Sequence, residues 1–412
     1  MRPLGVGILL LAALASRAGA VPREGLRHVA LRATAIDGCP GIPYPRGERE
    51  LFIDGDHVVD ARSRFWELDR AREYRRGTAQ VRYRVDTGSL LIVSELSEDL
   101  RTEKVRISIE TPIEASYLRI YLNEVKLPCE RHVSYDLREL GTAKADLEVL
   151  ARFDALLHEA TELGYNERYA DVMERLRQAI TLIPDDPAPY WMMARARYLE
   201  LEQQAQTLSK EERMRGYEEA ERWADAAVGR APHRAEGYLW QGILRGRMAT
   251  AQGNIRVALR GMLGGRGPAW LEQTLRKAVS LQEEYRFFGF STRANALYAL
   301  AQFYRLAPDA WYMAAVGTRG DIDRAVALAR ETVEAQPVRI EFHKELAVAL
   351  LCRARPGDRE EAEQHLREVL RLPAITRLDR IDQKHAHLLM RGLPNVCWYS
   401  RDSLQETAAC VQ

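Results

Sequence analysis

The stretch VMERLRQAITLIP, residues 172–184, has two copies further along the chain: AERWADAAVGRAP, residues 220–232, and AVALARETVEAQP, residues 325–337. In each copy, small or apolar residues, with one threonine in the last, are spaced by four and three positions, and a proline follows five positions later. Positions three and four apart share one face of an α-helix, and proline cannot continue a helix. Each copy therefore predicts the second helix of a helix-turn-helix repeat, with its proline starting the next turn.

The residues after each proline predict the first helix of the following repeat. Tyr190, Tyr238 and His343 each stand six positions after one of these prolines, and a small residue follows each of them four positions later. A large residue followed by a small one is typical of the start of such a helix, because the small residue lets the paired helix approach closely. Weaker copies of the second helix begin at Leu271 and Ala362. The sequence thus predicts a mainly α protein in which an α-solenoid contains about five helix pairs.

Together these features resemble the tetratricopeptide repeat (TPR), whose pattern reads W-x2-L-G-x2-Y, then Ala, then Pro, over about 34 residues. The step from Pro184 to Pro232 is 48 residues here, which indicates inserted helical turns. The order GYLWQGILRGR, WLEQTLRKAVSLQEEY, RANALYALAQFYRLAP and GDIDRAVALARETVEAQP is similar to the divergent repeat group that includes the T-component of TRAP transporters and the regulators of microtubule dynamics. That resemblance implies a transporter-accessory role. The solenoid is predicted over residues 141–392.

Residues 48–140 follow a period of two, which is typical of β-strands. Apolar and polar residues alternate over 81–85, a turn of Asp, Thr, Gly and Ser follows, and a new apolar run begins at Leu90. This pattern predicts a hairpin. Several such short strands predict a small antiparallel β-sandwich-like domain in front of the solenoid. The segment 21–47, with four Pro and four Gly, is predicted to be a linker.

The first twenty residues, MRPLGVGILLLAALASRAGA, have a basic start, an apolar run and an ending in small residues. This is the pattern of a secretory signal peptide, and we expect cleavage after Ala20. The mature protein is then periplasmic or secreted. Residues 393–412 are predicted to be a C-terminal tail.

Five cysteines gain importance in an exported protein, because an oxidising compartment permits disulfides. The predicted pairs are Cys39 with Cys129 and Cys397 with Cys410, which leaves Cys352 as a buried free thiol in an apolar helix. An odd count means that at least one cysteine is unpaired or joins another chain, and the sequence alone leaves the pairing open. No CxxC motif occurs, so neither a thioredoxin-type site nor a zinc site is indicated.

The overall charge balance argues against nucleic acid as a partner, but one segment of the chain is locally basic. Lys and Arg number 60 against 59 Asp and Glu, without the basic excess of a nucleic-acid binder. Residues 243–266, however, carry five Arg and no acid, with apolar residues at helical spacing. This insert forms a basic amphipathic helix that either docks a membrane or an acidic partner or caps the repeats with its Arg in water. Its arginines are Arg245, Arg247, Arg256, Arg260 and Arg266.

A solenoid creates a concave groove, and such grooves hold extended peptides or partner helices. The residues expected to face this groove belong mainly to first helices and are Tyr190, Arg197, Tyr238, Gln241, Arg245, Asn295, Tyr298, Gln302 and Lys344. We predict a non-catalytic exported scaffold with protein partners, which the resemblance associates with a membrane or a transporter. The alternative is a periplasmic accessory protein that binds a small apolar or carboxylate ligand alongside a transporter. No catalytic motif, metal-ligand spacing or cofactor fingerprint occurs, so no enzyme activity, metal or cofactor is predicted.

Overall fold

The computed structural model describes residues 23–40, 48–60, 73–85, 88–112, 126–205, 207–252, 266–281, 286–287, 290–309 and 318–401. An N-terminal β domain precedes a helical domain. The strands of the first domain are β1 Arg23–Gly38, β2 Glu48–Asp54, β3 His57–Asp60, β4 Glu73–Arg75, β5 Thr78–Val85, β6 Gly88–Leu96, β7 Thr102–Thr111 and β8 Cys129–Ala145.

These eight strands form a closed antiparallel barrel, so the predicted β-sandwich is wrong. Closure depends on β1, which pairs with β2 through Val29 and Leu51 and with β8 through Val29 and Glu139. The predicted linker 21–47 therefore contains the strand that closes the sheet. Strand β1 has a period-two pattern of apolar residues. The Pro and Gly residues of segment 21–47 give the segment as a whole the composition of a linker, and this hides the strand. The predicted hairpin is confirmed, because β5 and β6 pair from Thr78 to Val85.

The interior of the barrel holds a polar network as well as apolar side chains. The guanidinium of Arg49 donates to Asp60 at 2.8 Å, to Glu103 at 2.6 Å and to the hydroxyls of Tyr74 at 3.0 Å and Tyr135 at 2.5 Å. Both tyrosine hydroxyls in turn donate to Glu103. An eight-stranded barrel is just wide enough for side chains to fill it. One buried cation therefore holds strands β2, β3, β4, β7 and β8 together.

A disulfide between Cys39 and Cys129 staples the end of β1 to the start of β8, as the sequence predicts. Its loop spans 90 residues, which include β2 to β7. Constraining a long loop in the unfolded chain stabilises the fold by about 2–4 kcal/mol. We therefore expect the pair of substitutions Cys39→Ser and Cys129→Ser to lower the barrel's free energy of unfolding by that amount. Hydrogen exchange of β1 and β8 peptides measures the loss, and Cys410→Ser, which neither disulfide involves, should leave it unchanged.

Eleven helices follow in the described part of the chain. They are α1 Leu147–Tyr165, α2 Tyr169–Leu182, α3 Ala188–Gln203, α4 Lys210–Arg230, α5 Ala235–Gln252, α6 Pro268–Ser280, α7 Thr292–Leu306, α8 Ile322–Ala335, α9 Ile340–Arg353, α10 Asp358–Arg371 and α11 Arg377–Arg391. The first helix begins at Leu147 rather than near the predicted boundary at 141, because β8 continues to Ala145.

The helices form five successive pairs, α1 with α2 through α9 with α10, and α11 packs against the last pair. The repeated positions lie on the second helix of each pair and face its neighbours. Ala220, Ala224 and Ala227 of α4 are buried, as are Ala325 and Ala329 of α8. Small side chains at these positions allow close helix packing, which is why their spacing is visible in the sequence. The prediction of about five helix pairs is therefore confirmed.

The barrel and the solenoid share part of their hydrophobic core. Leu90 and Ile107 of the barrel belong to the same buried cluster as Phe153 and Leu157 of α1. The imidazole Nε2 of His158 also lies 2.7 Å from the main-chain carbonyl of Arg82. Because α1 is at once part of the first helix pair and packed on the barrel, it joins the two domains through buried contacts.

Candidate functional site

The first helices of the pairs surround the concave side of the solenoid. Side chains of α1, α3, α5, α7 and α9, with residues from α11 and from 399–401, line a cavity of about 340 Å³. We call this concave space the inner groove. Its wall alternates aromatic and charged side chains, among them Tyr198, Trp240 and Tyr298 beside Arg195 and Arg247. Such a wall can hold both the apolar and the ionic groups of an extended segment.

The two ends of the solenoid approach each other across the inner groove. Helix α11 contacts α3, although many residues separate the two helices in sequence. The main-chain amide of Arg377, at the start of α11, donates to Glu167 in the turn after α1 at 3.1 Å. The guanidinium of Arg401 lies 3.8 Å from Glu202 at the end of α3. The helices therefore enclose the groove instead of leaving it as an open trough.

Seven buried or half-buried charged groups form an inner charge cluster at the groove wall, and its four cations line the cavity. They are Glu202, Arg247, Arg305, Lys344, Glu345, Asp382 and Arg401.

The most deeply buried pair of this cluster joins α7 to α9. Arg305 donates to Glu345 through Nε at 2.7 Å and Nη2 at 3.1 Å, and the two side chains are 1% and 0% exposed. The amide of Gln302 adds a bond to Glu345 at 3.2 Å and another to the hydroxyl of Tyr298 at 2.9 Å. A two-bond fork of this kind fixes the orientation of both partners. The pair thereby sets the spacing of the two helices.

Asp382 of α11 receives two cations. Lys344 donates at 2.5 Å, and Arg401 donates at 3.0 and 2.8 Å to the two carboxylate oxygens. Burial alone would raise the pKa of Asp382, but Arg401 and Lys344 hold it far below its usual range. Asp382 is therefore ionised at neutral pH, and it is a buried negative charge behind the groove wall.

Glu202 of α3 is the third carboxylate of the inner charge cluster. It accepts from Arg247 of α5 at 3.0 and 2.8 Å and from the hydroxyl of Tyr217 at 2.6 Å. Burial and the neighbouring Glu202 raise the pKa of Tyr217, so this hydroxyl keeps its proton and donates it. Each of the three carboxylates thus has its own cation, and Arg401 is an additional one.

No family model matches this chain, and no curated protein matches it either. Several solved structures are similar in fold. The thermophilic TPR protein TTC0263 of Thermus thermophilus is 20% identical with a TM-score of 0.38, and the match covers 57% of this chain and 99% of that one. PilW, a type IV pilus biogenesis factor, is 14% identical with a TM-score of 0.36, covering 63% and 94%. MamA from Desulfovibrio magneticus RS-1 is 14% identical with a TM-score of 0.30, covering 54% and 94%.

The helical domain is a divergent TPR-like solenoid. Its own geometry carries that statement: helix pairs joined by proline turns, with first helices on the concave side. The predicted TPR resemblance is confirmed, whereas the finer likeness to the T-component group stays a prediction.

In three of the turns, the large residue six positions after the proline forms a hydrogen bond with the proline carbonyl. This bond explains why a large residue recurs at that position. The hydroxyl of Tyr190 donates to the carbonyl of Pro184 at 2.8 Å, and that of Tyr238 donates to the carbonyl of Pro232 at 3.1 Å. His343 Nε2 lies 2.8 Å from the Pro337 carbonyl, so this nitrogen carries the proton. In each turn the side chain binds the proline carbonyl beyond the end of the preceding helix, and at Pro184 Arg230 also donates to that carbonyl at 2.8 Å.

The nine residues predicted to face the groove divide into two groups. Asn295, Tyr298, Gln302 and Lys344 line the cavity. Arg197, Gln241 and Arg245 instead bind acids of the adjoining second helix, as Tyr190 and Tyr238 bind turn carbonyls. Residues that were not predicted to face the groove take their places on its wall, and one of them, Arg247, was predicted only as part of the basic insert. These include Arg195, Leu199, Trp240, Arg247 and Thr250.

The described arginines of the basic insert are engaged within the chain. Arg245 donates to Glu221 at 3.0 Å, and Arg266 donates to the same carboxylate at 2.8 Å. Arg247 binds Glu202 in the inner charge cluster. Arg256 and Arg260 lie outside the described residues. The three arginines that are described therefore stabilise helix packing, and the membrane-binding interpretation receives no support from them.

The second disulfide joins Cys397 to Cys352, so the predicted pair Cys397–Cys410 is wrong. Residues 392–401 turn back after α11, which brings Cys397 onto α9 where Cys352 lies. The predicted tail therefore begins as a folded segment, which we call the C-terminal strap. It contains a short 3-10 helix, Val396–Trp398, and ends in the groove. Gly392 and Pro394-Asn395 mark a turn after α11 in the sequence, but they do not determine where the chain goes afterwards, and Cys410 lies outside the described residues.

Three histidines have lowered pKa values in the folded protein, and they make its stability depend on pH. Burial, with a further contribution from Lys344, lowers the pKa of His385 to about 4. Burial also lowers the pKa values of His343 and His365, whose Nδ1 atoms lie 2.9 Å apart. The unfolded chain therefore binds more protons below pH 6.5, and the folded state loses stability as pH falls toward 4.

We expect the free energy of unfolding to drop between pH 7 and pH 5 by roughly 2 kcal/mol from His385 alone. Urea titrations followed by circular dichroism at several pH values measure this slope. His385→Gln should flatten it, whereas substitution of the exposed His132 should leave it as it is. An unchanged slope in His385→Gln would show that burial does not hold this imidazole neutral.

None of the helices described is long and apolar enough to cross a membrane. In the same part of the chain, no group of three or more His, Cys, Asp or Glu side chains is arranged to hold a metal ion.

Proposed function

We propose that the protein is an exported, non-catalytic scaffold that binds an extended segment of a partner protein in the inner groove. One observation carries the proposal: the groove already holds a segment of the chain, the end of the C-terminal strap, in which the 3-10 helix Val396–Trp398 is followed by Tyr399. Arg305 donates to the main-chain carbonyls of Cys397 at 2.8 Å and Tyr399 at 2.9 Å. Contacts to a peptide backbone together with side-chain pockets are how solenoid grooves take extended ligands.

The alternative is a small apolar or carboxylate ligand, and a peptide suits the lining better than the apolar one does. A cavity of about 340 Å³ is large enough for a small molecule. Its wall, however, includes Arg195, Arg247, Lys344 and Arg401. These cations already have partners within the chain, Arg247 with Glu202 and both Lys344 and Arg401 with Asp382. A peptide can use the apolar part of the wall through its side chains and the cations through its carbonyl groups. Association with a transporter remains a prediction from the resemblance.

Export is supported by the two disulfides, which form and persist in oxidising compartments. Expression of the full chain in a secreting host tests it. Mass spectrometry of the product is expected to give a mature chain that begins at Val21, with both disulfides closed. A full-length chain with free thiols in the cytoplasmic fraction would contradict export.

Site-specific photocrosslinking tests the groove. A photoreactive amino acid at Thr250, an exposed residue of the groove wall, should form a discrete adduct with a protein of the extracytoplasmic fraction. The matched control position is Glu334, which is exposed on the second helix α8 and outside the groove. Adducts from Thr250 alone support the proposal. The absence of adducts from both positions, or equal adducts from both, would overturn it.

A further inference from the structure

The C-terminal strap carries two side chains that fill separate pockets of the inner groove. Its middle is tied to α9 by the Cys352–Cys397 disulfide, and its Trp398 is 52% exposed. The next residue, Tyr399, and then Arg401 are instead enclosed. The strap thus lies partly on the surface and partly inside the groove, where Tyr399, Ser400 and Arg401 reach the lining.

The first pocket holds an aromatic ring. The hydroxyl of Tyr399 lies 2.9 Å from Nδ1 of His385, and the imidazole meets the ring edge-on with 5.9 Å between the ring centroids. The ammonium of Lys344 lies 5.6 Å from the centroid of the same ring. Edge-to-face packing and a cation near the ring both favour an aromatic side chain here. The hydroxyl bond selects tyrosine in particular.

The second pocket holds a guanidinium. Arg401 forms a two-bond fork with Asp382 and lies 3.8 Å from Glu202. A planar fork matches a carboxylate in a way that the ammonium of lysine cannot. Without Arg401 the remaining six members of the inner charge cluster are still paired one to one: Arg305 with Glu345, Lys344 with Asp382, and Arg247 with Glu202. The cluster therefore stays balanced when this guanidinium leaves.

We infer that the partner segment of the scaffold carries an aromatic residue followed two positions later by arginine, and that it binds by displacing the C-terminal strap from these two pockets. The inference rests on the proposed function and names the chemistry of the partner. The occupant is a protein segment and not a small cation, because Arg305 also donates hydrogen bonds to two main-chain carbonyls. The strap is then the internal competitor that limits access to the groove.

A peptide-binding measurement tests this inference. The probe is a fluorescein-labelled peptide that contains Trp-Tyr-Ser-Arg, and its binding is followed by fluorescence anisotropy. The proteins are the full chain and a strap-release variant with Cys397→Ser, Tyr399→Ala and Arg401→Ala. We expect the release variant to bind the probe at least tenfold more tightly than the unaltered protein, because its pockets are vacant. A probe with alanine in place of arginine should bind at least tenfold more weakly than the original probe. A probe with lysine in that place should also bind more weakly than the original.

Further variants separate a failure of this inference from a failure of the scaffold. Circular dichroism and thermal melting confirm that the release variant is folded, and Arg371→Ala, at an exposed ion pair with Glu368, serves as the matched control. Equal binding by the release variant and the unaltered protein, or equal binding of the alanine probe, overturns the inference. If crosslinking from Thr250 still succeeds, the scaffold proposal survives and the partner has other chemistry. A release variant that dimerises with the strap of an unaltered copy would assign the pockets to a second copy and also overturn the inference.

Discussion

Asp382→Ala is expected to lower the free energy of unfolding of the helical domain by about 3–5 kcal/mol. The substitution leaves Lys344, which is 2% exposed, without its carboxylate and also removes the fork to Arg401. When one member of a buried ion pair is removed, the other charge is left unpaired in the protein interior, which solvates it poorly. Denaturant titration followed at 222 nm, where helices dominate the signal, measures the loss.

Two companion variants make this prediction specific. Arg401→Ala removes the additional cation and leaves every carboxylate of the inner charge cluster paired, so we expect it to cost no more than about 1–2 kcal/mol. Glu363→Ala removes a half-buried carboxylate from α10 whose two arginine partners are exposed, and it should change stability by less than about 1 kcal/mol. Equal losses for Asp382→Ala and Arg401→Ala would mean that the strap is part of the core and not an exchangeable ligand.

Arg49→Ala is expected to destabilise the barrel by about 3–5 kcal/mol. Arg49 is the cation between Asp60 and Glu103, which are 0% and 2% exposed. Its removal takes from these two buried carboxylates the guanidinium that pairs with both, and it also removes donors to the hydroxyls of Tyr74 and Tyr135. Hydrogen exchange of the β2, β3 and β7 peptides measures the effect within the barrel, apart from the helices.

The control for this variant lies on the outer surface of the same barrel. Arg138 pairs with Glu48 at 2.5 Å with both side chains largely exposed, so Arg138→Ala should cost less than about 1 kcal/mol. Arg49→Lys should fall between the two, because it keeps the charge and loses the planar fork. If Arg49→Ala matched Arg138→Ala, the polar network would not be what holds the barrel strands together.

The sequence predicts the helices well because their packing repeats. Ala224 and Ala329 occupy the same place in different repeats and meet the same kind of neighbour, so one spacing marks them both. The residues of the groove wall carry no such signal, since each faces a different part of the cavity. The recurring Tyr190 and Tyr238 are therefore natural candidates for the groove, whereas their hydroxyls bind the carbonyls of the preceding turns.

The sequence by itself determined the local periods of this protein, the hairpin of β5 and β6, and a TPR-like solenoid, because each depends on residues that are close in the chain or regularly repeated. The tertiary structure decided the closure of the barrel by β1, the Cys352–Cys397 disulfide, and the placement of Arg401 beside Asp382 and Glu202. Those contacts join residues far apart in sequence. Their pairing depends on how the whole solenoid curves, and no local pattern encodes that curvature.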